Sequence, residues 1–345
     1  MKEAILIVSF GGPETEADVI PFLENVLRGR NVPRERMLEV AEHYYHFGGK
    51  SPINDQNREL IAKLEGLLRE EGPALPVYWG NRNWNPFLPD AIRQMQRDGI
   101  QKAYAFVTSA YSSYSGCRQY RENIDAALLQ VGPGAPEIVK IRPFYNHPGI
   151  IEPVADDVAR CFNEIDETRR EKAALLFTAH SVPLSMSDGA RYVPQLEDAC
   201  KIVASRVGRP NYQLVYQSRS GPPTQPWLEP DILVAIRKLH AGGVTDVVVC
   251  PIGFLSDHME VLYDLDEEAK HLAHELSMNL LRSKTAGSDI RLVRMIRELV
   301  EERRNPQLTR IALGDLGPCP DVCPPGCCPA PQPPRARPVS SNPLS

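Results

Sequence analysis

Apolar positions follow two rhythms along the chain. Short continuous runs rich in β-branched residues, such as Ile5, Leu6, Ile7 and Val8 or Val247, Val248 and Val249, suit strands buried on both faces. Elsewhere apolar residues recur at spacings of three and four, as Val261, Leu265, Ala269, Leu272 and Leu276 do, which marks helices that lay one face on a sheet. The pattern predicts strands over 4–10, 77–80, 103–108 and 138–141, with helices over 14–27, 33–45, 53–71, 86–97 and 118–129. After a helix at 149–165 and a charged link at 166–172 the alternation begins again. Strands are expected at 174–178, 213–216 and 247–250, and helices at 195–207, 231–240, 260–278 and 289–302. This βαβα order predicts an α/β protein of two Rossmann-like halves, 1–150 and 151–316, each a parallel sheet flanked by helices. Ten of the 28 residues from Pro318 onward are proline, so the segment 317–345 is expected to be a tail without regular helix or strand.

Open α/β sheets bind ligands beyond the carboxyl ends of their strands, so those ends direct the search for chemistry. Ser9-Phe10-Gly11-Gly12-Pro13 follows the first strand but has neither the G-x-G-x-x-G spacing nor a P-loop Lys-Ser/Thr. The loop at 108–120 carries Tyr111, Tyr114 and Tyr120 among many hydroxyls, which suits a flat, aromatic, oxygen-bearing ligand or simply a polar loop. His180 follows the strand at 174–178, and Glu260 opens the helix that follows Cys250-Pro251-Ile252-Gly253. Glu260, Asp264, Glu268 and His271 recur at i, i+4, i+8 and i+11, which makes either a solvated acidic face or a ligand row for a cation. Where His180 faces Glu260 across one cleft, imidazole and carboxylate would hold a divalent cation or exchange protons with a ligand nitrogen.

Composition narrows the classes. A chain of 345 residues with 42% hydrophobic and 24% charged residues can bury a sizeable core, and a net charge of −5 lacks the basic footprint of a nucleic-acid binder. No run approaches the roughly 20 apolar residues of a membrane span, and the N-terminus reads as a first strand in place of a signal peptide. A cytoplasmic protein is expected. Cys117, Cys161, Cys200 and Cys250 are scattered, whereas Cys319, Cys323, Cys327 and Cys328 crowd into the proline-rich tail, a pattern that suits metal binding in a reducing compartment.

Several motifs in one order carry a resemblance: Ser9-Phe10-Gly11-Gly12-Pro13, His46-Phe47-Gly48-Gly49-Lys50-Ser51-Pro52-Ile53-Asn54, Phe177-Thr178-Ala179-His180-Ser181, Gln217-Ser218-Arg219-Ser220-Gly221, Trp227-Leu228-Glu229-Pro230 and Ser256-Asp257-His258-Met259-Glu260. Over nearly its whole length, to about Leu316, the chain resembles the ferrochelatases, most closely coproporphyrin ferrochelatases of the actinobacterial type. The resemblance implies a class II chelatase-like fold and insertion of Fe²⁺ into coproporphyrin III in haem synthesis. The alternatives are a protoporphyrin IX ferrochelatase or a haem or porphyrin carrier without chelatase activity. It places His180 and Glu260 at the iron site, and Phe10, Arg28, Arg30, Ser51 and Tyr120 against the porphyrin; the acidic stripe of Asp264 and Glu268 would then be the iron path. Phe10 stands where some relatives have an iron-facing tyrosine, and a phenyl ring cannot ligate iron. Some members carry a [2Fe–2S] cluster on three C-terminal cysteines and one internal cysteine. Here that implies a choice among Cys319, Cys323, Cys327 and Cys328 together with Cys161, with zinc as the alternative occupant of four thiolates. Coproporphyrin III and Fe²⁺ are the expected partners, with transient contact with other haem-pathway enzymes and neither nucleic acid nor a membrane span.

Overall fold

A computed structural model describes residues 1–29, 32–221 and 224–330 of the chain. Eight strands form two separate sheets, and every pairing is parallel. The first sheet contains β1 (Glu3–Ser9), β2 (Val77–Asn81), β3 (Lys102–Val107) and β4 (Glu137–Lys140) in the spatial order β2-β1-β3-β4. The second contains β5 (Ala174–His180), β6 (Tyr212–Gln217), β7 (Asp246–Cys250) and β8 (Asn279–Arg282) in the order β6-β5-β7-β8. The two sheets therefore share one topology. Strand order reverses between β1 and β3 in the first and between β5 and β7 in the second, so a ligand crevice is expected beyond those four carboxyl ends.

The central strands are apolar because helices cover both of their faces. β7 is buried throughout, as is β1 after Glu3. One large core runs through both halves, joining Ile5, Phe106 and Phe144 to Leu175, Phe177 and Val248. The last helix, Ile290–Arg304, returns to the first half and packs on the helices Ile53–Glu71 and Pro148–Glu164. Its approach is close: a Cβ on Gly149 would lie 2.5 Å from Cβ of Met295. Arg142, just past β4, clamps this arrangement with a two-pronged ion pair to Glu302 at 2.9 and 3.1 Å, and its other Nη2 proton reaches the carbonyl of Ile311. No helix among the described residues is long and apolar enough to cross a membrane.

Two departures from the expected elements bear on function. The pattern assigns 260–278 to one helix, but the backbone runs as a short α-turn, Met259–Val261, then a π-helix, Leu262–Ala269, then α-helix, Lys270–Glu275, before β8. Wide i→i+5 turns of this kind concentrate at functional sites. The helix expected from 118 likewise begins earlier, with a π-turn, Tyr114–Arg118, ahead of Gln119–Val131.

Candidate active site

His180 is the last residue of β5, and Glu260 lies on the first turn after the loop that leaves β7. The loop turns back sharply because Gly253 sits against Ala179, where a Cβ would come within 2.6 Å of the alanine methyl. Its N–H donates to the carbonyl of Thr178. This contact brings the two strand ends together and sets His180 Nε2 3.5 Å from Glu260 Oε2. Nδ1 of the imidazole meets the carbonyl of Ser181, and Tyr192 donates to the carbonyl of His180, so the ring is held from behind.

Burial opposes charge on His180, but the Glu260 carboxylate and the Ser181 carbonyl override it and lift the imidazole to about 9. For Glu260, burial is outweighed by His180, which holds the acid at about 2. Near neutral pH the pair is therefore imidazolium and carboxylate. His258, beside them, is pushed the other way by burial.

Asp264 continues the acidic row along the π-helix. It accepts hydrogen bonds from Gln217 Nε2 at 3.2 Å and from the Ser218 hydroxyl. Burial, together with the charges of Glu260 and Glu268, raises it to about 7. Glu268 is raised as well, by burial and by Asp231. His271 leaves the row and pairs with Glu275 on the exposed side. Arg282 of β8 fixes the opposite face of the π-helix, binding Asp266 at 2.8 Å and Asp257 at 3.1 Å.

The first half supplies the facing wall. Ser51 is buried, donates its N–H to the Pro13 carbonyl and packs on Gly12, where a Cβ would lie 2.7 Å from that of Ser51. Phe10, past the end of β1, meets the edge of Phe22 at 6.2 Å between centroids. Tyr120 is buried in the first turn of the helix Gln119–Val131. The two halves touch where Tyr111 donates to the Ile252 carbonyl at 2.9 Å, where His43 stacks on Tyr263 at 3.7 Å, and where the N–H of Asp257 donates to the Gln56 side chain at 3.0 Å. Arg28 is exposed at the end of the helix Glu16–Leu27 and bonds to Asn25, while Arg30 lies outside the described residues.

Some polar groups at this wall escape a reading of the sequence. Arg82 follows β2 and lays its guanidinium over Phe10 and Tyr120, at 5.6 and 4.5 Å from the ring centroids. Inspection of the carboxyl end of β2, Asn81-Arg82-Asn83-Trp84, is the signal that finds it. Gln217 and Ser218, which hold Asp264, lie at the end of β6 within a motif already singled out, and Ser218 adopts a positive φ of 59° there.

The tail cysteines gather elsewhere, behind the loop at 108–120. Cys117, Cys323 and Cys327 line a cavity of about 250 Å³ with Lys140, Arg121 and Arg303. A hydrogen bond from Cys323 and the charge of Lys140 hold the Cys117 thiol well below its usual range, and the same contact raises Cys323. Burial and the neighbouring thiols push Cys328 up to about 12. Cys319 takes a hydrogen bond from Gln195, whose carbonyl accepts from the N–H of Ser112. Cys161, expected to join the tail, does not line this cavity: it is buried on the helix Pro148–Glu164 beside Arg160 and Asp157. The internal cysteine that meets the tail is Cys117, because the π-turn Tyr114–Arg118 presents it at the cavity. Among the described residues no three His, Cys, Asp or Glu side chains converge closely enough to hold a single metal ion.

The ferrochelatase family model matches residues 2–304 of the chain. A protein named ferrochelatase from Rhodopirellula baltica is 53% identical, with 99% of this chain and 98% of the relative covered. A coproporphyrin III ferrochelatase from Streptomyces coelicolor is 48% identical, covering 99% of this chain and 97% of the relative. Among solved structures, SirB from Bacillus subtilis with Fe³⁺ is similar in fold, with a TM-score of 0.54 at 14% identity over 88% of this chain and 98% of that one.

Proposed function

The chain belongs to the ferrochelatase family, and from that footing we propose that it inserts Fe²⁺ into coproporphyrin III to give coprohaem. The four-carboxylate substrate is supported by the relatives from Streptomyces coelicolor and Frankia alni, both named for coproporphyrin III. The observation that carries the assignment of the site is the 3.5 Å pair of His180 and Glu260 at the head of the acidic row.

Metallation delivers a dication to the ring centre and removes two pyrrole N–H protons, so the site must exchange positive charge for positive charge. At rest the proton sits on His180, held there by Glu260. An Fe²⁺ ion that engages Glu260 cancels the charge that holds this proton and adds its own repulsion, so His180 releases it. The released proton passes to solvent through the open cleft, and the neutral imidazole then takes the two pyrrole protons in turn, handing the first to water before it accepts the second. Asp264, poised at about 7, and Glu268 form the approach, attractive enough to gather a cation and too costly to ionise fully to retain it. Phe10 offers no donor to iron, so a phenolate ligand at that position plays no part. Ser51, Tyr120 and Arg28 are assigned to the porphyrin. In anaerobic assays His180→Ala is expected to lower metallation about 10²- to 10⁴-fold, the range for loss of a general base. Near-normal metallation by a folded His180→Ala protein would reject the assignment.

The basic cavity at the tail suits an anionic tetrathiolate group. Cys117, Cys323 and Cys327 line it and Cys328 adjoins them without lining it, and we assign these four as ligands, with a [2Fe–2S] cluster as the occupant such a donor set commonly binds. Lys140, Arg121 and Arg303 would offset its charge.

A further inference from the structure

Arg82 is a cation without its anion. Its N–H donates to the carbonyl of Ser9 at 3.0 Å, which fixes the residue beside Phe10, and its guanidinium then rests on the rings of Phe10 and Tyr120. Nη1 reaches the carbonyl of Ser115 only at 3.5 Å, the guanidinium also bonds to the neutral Tyr120 hydroxyl, and Nε is buried with no hydrogen-bond partner. Among the described residues no carboxylate pairs with it. Nε is enclosed, so the donors a ligand can reach are those at the Nη end of the fork, which the Ser115 carbonyl holds only at 3.5 Å. The aromatic platforms hold the planar fork in place, and an arginine held in this way matches a carboxylate through two parallel N–H bonds. Both platforms belong to the wall assigned to the porphyrin, and the acidic row lies on the other half of the molecule.

We propose that Arg82 receives one carboxylate of the tetrapyrrole and thereby selects carboxylated substrates. The assignment rests on the porphyrin reading of this cleft. It gives the site a polarity, with anionic substituents drawn to the Arg82 wall and the metal cation drawn to Glu260, Asp264 and Glu268. The same positive charge disfavours approach of Fe²⁺ from the Phe10 side.

The test measures binding of metal-free coproporphyrin III and its tetramethyl ester by fluorescence quenching in matched detergent, with wild-type protein, Arg82→Met and Arg82→Lys. Loss of one charge-assisted, two-pronged bond is expected to weaken binding of the tetra-acid about 10- to 100-fold in Arg82→Met. Affinity for the ester stays within about twofold of wild type. Arg82→Lys, which keeps the charge on a single point, should fall between and guards against a methionine variant that fails to fold. Equal losses for acid and ester would show that Arg82 only builds the wall, and an unchanged acid affinity would show that it meets no carboxylate; either result overturns the proposal. A wild-type protein that binds the acid no tighter than the ester overturns it too. Iron insertion by the wild type, measured separately, decides the chelatase reading independently of these outcomes.

Discussion

Glu260→Gln removes the charge that keeps His180 protonated while preserving the shape of the side chain. Across 3.5 Å a unit charge pair is worth about 1.2 kcal/mol at a dielectric constant of about 80 and about 4.7 kcal/mol at about 20. One pKa unit corresponds to about 1.4 kcal/mol, so the change should lower His180 by roughly one to three units. The two side chains are open to the cleft by 34% and 51%, and solvent screening of that kind favours the smaller figure, about one to two units. His180, near 9 in the wild type, should then titrate between about 7 and 8 in the variant. The assay is a pH titration of the His180 ring by ¹H–¹³C NMR on metal-free protein, with His180→Gln to assign the resonance. An unchanged titration in Glu260→Gln would refute the ion pair as the cause, and with it the proton release proposed on iron binding. Stability carries the same signature. The raised imidazole and the lowered acid describe one ion pair, whose contribution is full between the ordinary values of 4.5 and 6.5. It fades as pH rises through about 9 or falls through about 2. The stability difference between wild type and Glu260→Gln should therefore be largest at about pH 5–6 and vanish above about pH 9.

Asp264→Asn should stabilise the fold by about 1 kcal/mol at pH 8, measured by urea unfolding, with the gain shrinking as pH falls and gone below about pH 3.8. Its folded pKa lies above the ordinary 3.8, so the stability it contributes is present below that value and lost as pH rises through about 7. The same substitution should raise KM for Fe²⁺, and an unaltered iron titration would remove Asp264 from the path. Cys117→Ser should abolish the visible absorption and the bound sulfide of protein isolated anaerobically, while Cys161→Ser should keep both. The reverse pattern would restore Cys161 as the internal ligand. Arg142→Met should cost about 3–5 kcal/mol in urea unfolding, because Glu302 is left buried and unpaired. Joint replacement of Arg142 and Glu302 by apolar residues should recover part of that loss.

The strands of both sheets are legible because parallel strands buried on two faces leave continuous apolar runs such as Ala4 to Val8 and Val247 to Val249. β8 escapes because Asn279–Arg282 is short, half-buried and carries only two apolar residues between polar ends. The π-helix escapes for a different reason: apolar spacings of three and four satisfy a wide turn about as well as an α-turn, and only the hydrogen-bond ladder separates them. Strand ends lead directly to His180 and Glu260, since topology brings the ends of β5 and β7 to one place. Arg82 and Cys117 could not be ranked in that way. Their significance lies in tertiary neighbours, two aromatic rings for the arginine and a tail about 200 residues away for the thiol, which local pattern does not encode.

The central claim is tested most directly by anaerobic Fe²⁺ insertion, followed by absorbance, with coproporphyrin III and protoporphyrin IX offered to wild type and Glu260→Gln. Rapid metallation of coproporphyrin III by the wild type, slow metallation of protoporphyrin IX, and loss of the rapid reaction in Glu260→Gln are the predicted results. Preference for protoporphyrin IX would contradict the substrate, and tight binding of coproporphyrin III without iron insertion would contradict the enzyme.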